Sequence, residues 1–177
     1  LSRIMKSRGI PRISSPYQLR NGFHIQGSVP ISGDDRFLDI YGKYVERHIC
    51  PVSVYKQSPY YKGPVLDMIR QAVGPEGNLD SILTNWEPYS LDYKGCFCAR
   101  CGVEFARYHK LSAESVKKDW PRNIIAKYGK KWVEFRSWQH GRLCVTLEKD
   151  INALGKKAGK DSHFIPEIAW SQLVESD

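Results

Sequence analysis

An α/β fold is predicted for this chain, with about four parallel strands alternating with helices, which amounts to half of an eight-stranded barrel or a small open sheet. Three observations lead there. Apolar or β-branched runs of strand length fall at residues 23–27, 49–55, 79–86 and 163–170. Between them lie segments whose apolar residues recur at three- and four-residue steps, the period of an amphipathic helix. A glutamate and a cysteine cluster follow the third run, where parallel sheets gather their functional side chains at the carboxyl ends of strands.

The elements follow in order. Residues 1–20 mix Arg, Pro and Ser without period and read as a loop or an incomplete edge. Asn21-Gly22 is a turn, and Phe23 to Gly27 a short strand. Ser32-Gly33-Asp34-Asp35 offers a helix start, with Phe37, Ile40, Tyr41, Tyr44 and Val45 along one face. Ile49 to Tyr55 is a strand-like run carrying Cys50. A second helix spans Gly63 to Val73, with Val65, Met68, Ile69 and Ala72 inward, and stops at Gly74-Pro75. Leu79 to Trp86 reads as a buried strand.

A cysteine-rich loop and a helix through Phe105 and Tyr108 come next. Asp119 then caps a helix with Pro121 in its first turn, closing at Tyr128-Gly129. A long helix from Lys131 to Ala158 carries Trp132, Phe135, Trp138, Leu147, Ile151 and Leu154. His163 to Trp170 is a last strand, although Pro166 inside it is out of place in a sheet interior.

Composition sets the class. The 177 residues, 41% hydrophobic and 26% charged, are enough for one domain with a substantial core, taken here as 1–177 with the metal loop and its helix at 85–110. No apolar run reaches the roughly 18 residues of a membrane span. The first twenty residues lack the apolar stretch of a signal peptide, so cytoplasmic and secreted settings both stay open. A net charge of +8 raises nucleic acid as a partner, but the basic residues are interleaved with acids, as in Glu114 to Asp119, and fit solvated helix faces. Nucleic acid is therefore not the expected partner. Five Trp and ten Tyr serve either core packing or an aromatic cleft that stacks on sugar rings.

Five cysteines, an odd number, do not make a complete disulfide framework. Cys96-Phe-Cys98-Ala-Arg-Cys101 places three thiols in six residues, which suits one metal ion better than mutual pairing. Thiolates are soft ligands that favour zinc. The fourth ligand is expected from Cys50, with His109 as second choice; Cys144 lies mid-helix and reads as a small apolar residue. Four thiolates leave no open position, so such a zinc would be structural. The alternative is a loop of packed, reduced thiols.

Glu87 ends the run that closes with Asn85-Trp86. A carboxyl partly desolvated by Trp86 would stay protonated near neutrality, as a general acid for glycosidic bond cleavage requires. Such cleavage also needs a second carboxylate. Glu167, at the end of the last strand-like run, has no fixed facing, and Trp170 follows it.

Glu87, followed at nine, eleven and fourteen residues by Cys96, Cys98 and Cys101, resembles the family 42 glycoside hydrolases, β-galactosidase-like retaining enzymes of a (β/α)8-barrel clan. Cys101-Gly-Val-Glu-Phe105-Ala-Arg-Tyr108 is similar to that family's helix after its zinc loop. Ile124 to Trp132 is similar to the Tyr-Gly…Trp stretch beyond it. The resemblance covers residues 45–135 and implies a partial (β/α)8 TIM barrel, with Glu87 as acid/base and a structural zinc on Cys50, Cys96, Cys98 and Cys101. Asn85, Trp86, Glu167 and Trp170 would lie on the carbohydrate substrate.

The family carries Asn directly before its acid, whereas Trp86 intervenes here, which takes β-galactosidase specificity out of the expectation. The family's nucleophile lies on the seventh strand, and by strand counting this chain stops near the fifth. The expectation is therefore a glycosidase fragment, inactive alone, with a homo-oligomer left open. The alternative is a zinc-stapled carbohydrate- or nucleic-acid-binding module without catalysis.

Overall fold

The computed structural model describes residues 2–14, 29–31, 33–84 and 95–166. The expected strand at 23–27 lies outside them. The described residues form a mixed α/β structure dominated by helices, with two small sheets. A parallel sheet has the order β1 (Ile13–Ser14), β4 (Ser81–Thr84), β5 (Phe164–Pro166). An antiparallel pair joins β2 (Arg36–Leu38) to β3 (Tyr44–Ile49). These strands do not make the partial (β/α)8 barrel with four parallel strands that the sequence suggested. Only three short strands are parallel among the described residues, and no barrel closes.

Two of the expected strands mark real ones. Ser81–Thr84 lies within the 79–86 run and is the central strand, paired on both sides. Its Ile82 is fully buried. Phe164–Pro166 lies within the 163–170 run and pairs with β4 through Ile82–Phe164, Leu83–Ile165 and Thr84–Pro166. Pro166 is compatible with this because β5 is an edge strand, where a missing N–H breaks no ladder on its open side. Asp80 secures the other side of β4, accepting from the Arg12 amide at 2.7 Å beside the start of β1.

The largest reversal falls at residues 32–45. A helix was expected there, yet a short 3-10 turn (Gly33–Asp35) leads straight into the β2–β3 hairpin. The apolar spacing of Phe37, Ile40, Tyr41 and Tyr44 fits a helical face, but local turn chemistry prevails. The Asp39 carboxylate accepts from the amides of Tyr41 and Lys43, and Gly42 takes a φ of +79°, a left-handed conformation open to glycine. Tyr41 is consequently 73% exposed while Phe37 is buried.

The 49–55 run is likewise split rather than being one strand. It ends β3 at Ile49, and after Cys50 the chain turns into α2 (Pro51–Tyr55), with Pro51 in the first turn where its missing N–H costs nothing. At the chain's start, where a loop or an incomplete edge was expected, α1 (Ser2–Ser7) precedes β1, an edge strand of the parallel sheet.

The next two helices follow the sequence closely. A π-helical turn (Tyr61–Val65) containing Pro64 runs into α3 (Leu66–Val73), which buries Ile69 and Val73. The cysteine loop opens α4 (Ala99–Tyr108). Next comes α5 (Ala113–Asp119), which the sequence reading missed; Ser112 caps it by accepting from the Ser115 amide at 3.3 Å. Asp119 therefore ends one helix instead of capping the next. The Trp120–Pro121 peptide is cis.

The two helices expected at 120–158 are joined as α6 (Ile124–Lys157), 34 residues long. Tyr128, at φ −129° and ψ 26°, kinks it where a helix end was expected. Its apolar stripe of Trp132, Phe135, Leu143, Leu147 and Ile151 is buried and joins the two hydrophobic clusters of the core. No helix among the described residues is long and apolar enough to cross a membrane.

Candidate metal centre

The β3–α2 junction, the loop before α4 and the first turn of α4 bring four cysteines together. Cys50 is the residue before α2, held by its amide donating to the Asp35 carbonyl at 2.8 Å. Cys98 is the residue before α4, and Cys101 lies in that helix's first turn, three residues on and on the same face. Cys96 sits in the loop between. That loop is pinned at Phe97, whose amide donates to the Leu38 carbonyl of β2 at 2.8 Å and whose carbonyl accepts from Trp120 Nε1 at 2.9 Å. The Phe97 ring stacks on Trp132 of α6, with centroids 4.7 Å apart. The loop is thus held by β2, by Trp120 after α5 and by α6.

The geometry suits a single ion. The Sγ atoms of Cys50, Cys96, Cys98 and Cys101 all lie within 4.8 Å of one another. Cys50 Sγ is 3.5 Å from Cys98 Sγ and 3.7 Å from Cys101 Sγ. A tetrahedron with metal–sulfur bonds of about 2.3 Å has edges of about 3.8 Å. A disulfide would need about 2 Å between sulfurs, and all five cysteines are free. The site is also closed, since Cys50, Cys96 and Cys101 are 0% exposed and Cys98 is 7% exposed. These four buried cysteines form a cluster able to hold a metal ion.

Burial pushes the Cys96 and Cys101 thiols well up, while the three neighbouring thiols, Cys101 first, push Cys98 well down. The cluster on its own therefore favours thiolate at Cys98 and keeps Cys96 and Cys101 protonated. A divalent cation would remove that difference, because metal ligation stabilises thiolate at every ligand and releases the remaining protons.

The surroundings carry charge and hydrogen bonds that the sequence reading missed. Gln139 of α6, fully buried, donates to Cys101 Sγ at 3.6 Å and to the Tyr55 hydroxyl at 3.4 Å. It accepts from Arg136, whose side chain is 1% exposed and whose guanidinium lies 5.9 Å from the Trp132 ring. Arg100 of α4 donates to Ser53 Oγ at 2.7 Å and to the Asp34 carbonyl. A signal for Arg136 and Gln139 was present. Both fall on the buried face of α6, in step with Trp132 and Leu143, where polar residues are rare unless partnered.

Glycine permits the close approach of loop and helix. A Cβ on Gly95 would stand 2.6 Å from Arg136 Nε and 2.7 Å from Trp132 Cζ2. A Cβ on Gly102 would meet the Trp120 ring at 3.0 Å.

The other expected site residues fare differently. His109, the second choice for fourth ligand, is engaged elsewhere, its Nε2 lying 2.8 Å from the Lys131 carbonyl. Cys144 is half-buried and outside the cluster, 3.2 Å from His140 Nε2, with burial pushing its thiol up to about 11. Asn85, Trp86, Glu87, Glu167 and Trp170 lie outside the described residues. No protein-family model, no curated protein and no solved structure matches the chain.

Proposed function

We propose that Cys50, Cys96, Cys98 and Cys101 hold one Zn²⁺ as a closed structural centre, and that the domain it staples belongs to a glycoside hydrolase in which Glu87 is the acid/base. The observation that carries the first part is the cluster itself, four buried thiols at near-tetrahedral spacing. When bound, zinc supplies a four-thiolate crosslink with no open coordination position, so its contribution is folding energy. The chain's own residues do the rest. Cys50 ties the β3–α2 junction to the α4 entrance, and Cys96 ties the intervening loop to both.

The glycosidase part rests on spacing and placement. β4 ends at Thr84, three residues before Glu87, and the pinned loop begins eight residues after it at Gly95. In sequence Glu87 therefore falls between a strand and the cysteine loop, the order that the family 42 resemblance gives its acid. Glu87 would donate a proton to the departing glycosidic oxygen, with Asn85, Trp86, Glu167 and Trp170 contacting the sugar. This reading takes the metal loop and the acid from the family 42 resemblance and leaves the barrel aside.

The test is Glu87→Gln in the intact protein, assayed on aryl glycosides whose leaving groups span a wide pKa range. A lost acid should slow poor leaving groups steeply and spare activated ones, because only the former need protonation. Equal rates for variant and wild type would remove Glu87 from the mechanism. Sugar binding without turnover in either protein would identify a zinc-stapled binding module instead.

A further inference from the structure

We infer that Arg136 and Gln139 form a built-in counter-charge for the four-cysteine centre, tuning it to hold a divalent metal as a buried dianion. The inference rests on the zinc reading and deepens it. Four thiolates on a divalent ion carry a net charge of −2, and here water cannot solvate it, since the ligands are between 0% and 7% exposed. A buried charge of that size is stable only with opposite charge and hydrogen-bond donors close by.

α6 supplies both from adjacent turns of one face. Gln139 passes a hydrogen-bond chain from Arg136 to Cys101 Sγ, accepting from the guanidinium through Oε1 and donating through Nε2. The Arg136 stem lies against Gly95, the residue before Cys96, so closely that no side chain fits between them. Burial pulls the guanidinium pKa down, and negative charge on the cluster opposes that pull.

A second cation, Arg100, interacts electrostatically with Cys50 and Cys98. It is half-exposed and shared with Asp35 at 3.9 Å. Arg136 is the buried member of the pair, so removing its charge leaves the dianion only the partly exposed Arg100 as a counter-charge. The arrangement also favours the more negative state of any redox-active metal placed in the site. An iron-substituted centre therefore reports the local charge directly.

The test compares wild type with Arg136→Met, Arg136→Lys and Gln139→Leu. Zinc affinity is read by competition with a chromophoric chelator, and reduction potential is read on the iron-substituted proteins. Arg136→Met should bind zinc about 10- to 100-fold more weakly, the usual effect of losing an outer-shell partner, and should lower the iron potential. Arg136→Lys should recover most of the potential, because it restores the charge. Gln139→Leu should lower the potential by removing the donor to sulfur, and it keeps the question answerable if Arg136→Met fails to fold.

Wild-type potentials in both Gln139→Leu and Arg136→Met, or equal potentials in the Met and Lys variants, would make these residues packing elements only. A wild-type protein that takes up neither zinc nor iron would overturn the metal centre itself, a separate result from either of these.

Discussion

Gly95→Ala isolates the fit between the metal loop and α6. The added Cβ would sit 2.6 Å from Arg136 Nε, 2.7 Å from Trp132 Cζ2 and 2.9 Å from Arg136 Cδ. Contacts below 3.4 Å already require the neighbour to yield, so these side chains must retreat by about 0.7–0.8 Å. Neither has room, since Trp132 and Arg136 are each 1% exposed and Trp132 is wedged against Phe97 and Phe135. Overpacking of this kind costs about 1–3 kcal/mol, and the upper end applies where two buried side chains must move. Reduced freedom of the unfolded chain returns about 0.4–1 kcal/mol.

The net effect is a loss of about 2 kcal/mol, or roughly 4–8 °C in Tm for a domain of this size. Gly141→Ala provides the contrast. It lies on the exposed side of α6 with nothing within 4 Å of a Cβ, so alanine should stabilise by about 1 kcal/mol and raise Tm by about 2–4 °C. Calorimetry of both variants in zinc-containing buffer reads the difference. If Gly95→Ala melts at or above wild type, the loop does not pack on α6 as described.

Two further outcomes follow from the same geometry. Cys144→Ala should cost about 1 kcal/mol or less in denaturant titrations, as expected for a half-buried thiol, whereas Cys50→Ala should cost at least about 3 kcal/mol with zinc present; a strong chelator should shrink that gap by destabilising wild type and Cys144→Ala far more than Cys50→Ala. Asp80→Asn should weaken the β1–β4 edge by about 1 kcal/mol at neutral pH. Burial opposes the Asp80 carboxylate, but the Arg12 amide and guanidinium and then Lys160 outweigh it and hold its pKa below the usual value. Its contribution is therefore present above about pH 4 and fades on acidification, so the stability gap between wild type and Asp80→Asn should close towards pH 3.

The parts of this protein legible in the sequence are those governed by local period or by ligand chemistry. Helices α3, α4 and the body of α6 follow three- and four-residue apolar steps that tertiary packing then uses unchanged. The expected break at Tyr128-Gly129 corresponds to the kink at Tyr128, where the residue leaves helical geometry between two helical stretches. Cys50, thirty-seven residues before Glu87, could be chosen as fourth ligand on thiolate softness and on the family resemblance, and it stands in the cluster.

What failed did so for physical reasons. At 36–49, Asp39 and Gly42 make a turn that overrides an apolar spacing compatible with a helix. At 50–55, β-branched residues enter a helix because Pro51 and the packing of Val52 and Val54 decide the matter. Strand counting then misled the architecture, since one supposed parallel strand contributes only Ile49 to the hairpin and is otherwise helix from Pro51 to Tyr55. Arg136 and Gln139 were missed because a polar residue on an apolar helix face gains meaning only when its partner is known. That partner, Cys101, is thirty-eight residues away from Gln139.

The central claim is a four-thiolate metal centre, and X-ray absorption at the zinc edge on protein purified without added metal tests it most directly, with metal content measured on the same sample. One zinc per chain, bound by four sulfurs at about 2.3 Å with no nitrogen or oxygen ligand, is the predicted result. A protein that folds with no bound metal and titrates five free thiols after denaturation, or a zinc with an oxygen or nitrogen in its coordination shell, would contradict the closed centre formed by Cys50, Cys96, Cys98 and Cys101.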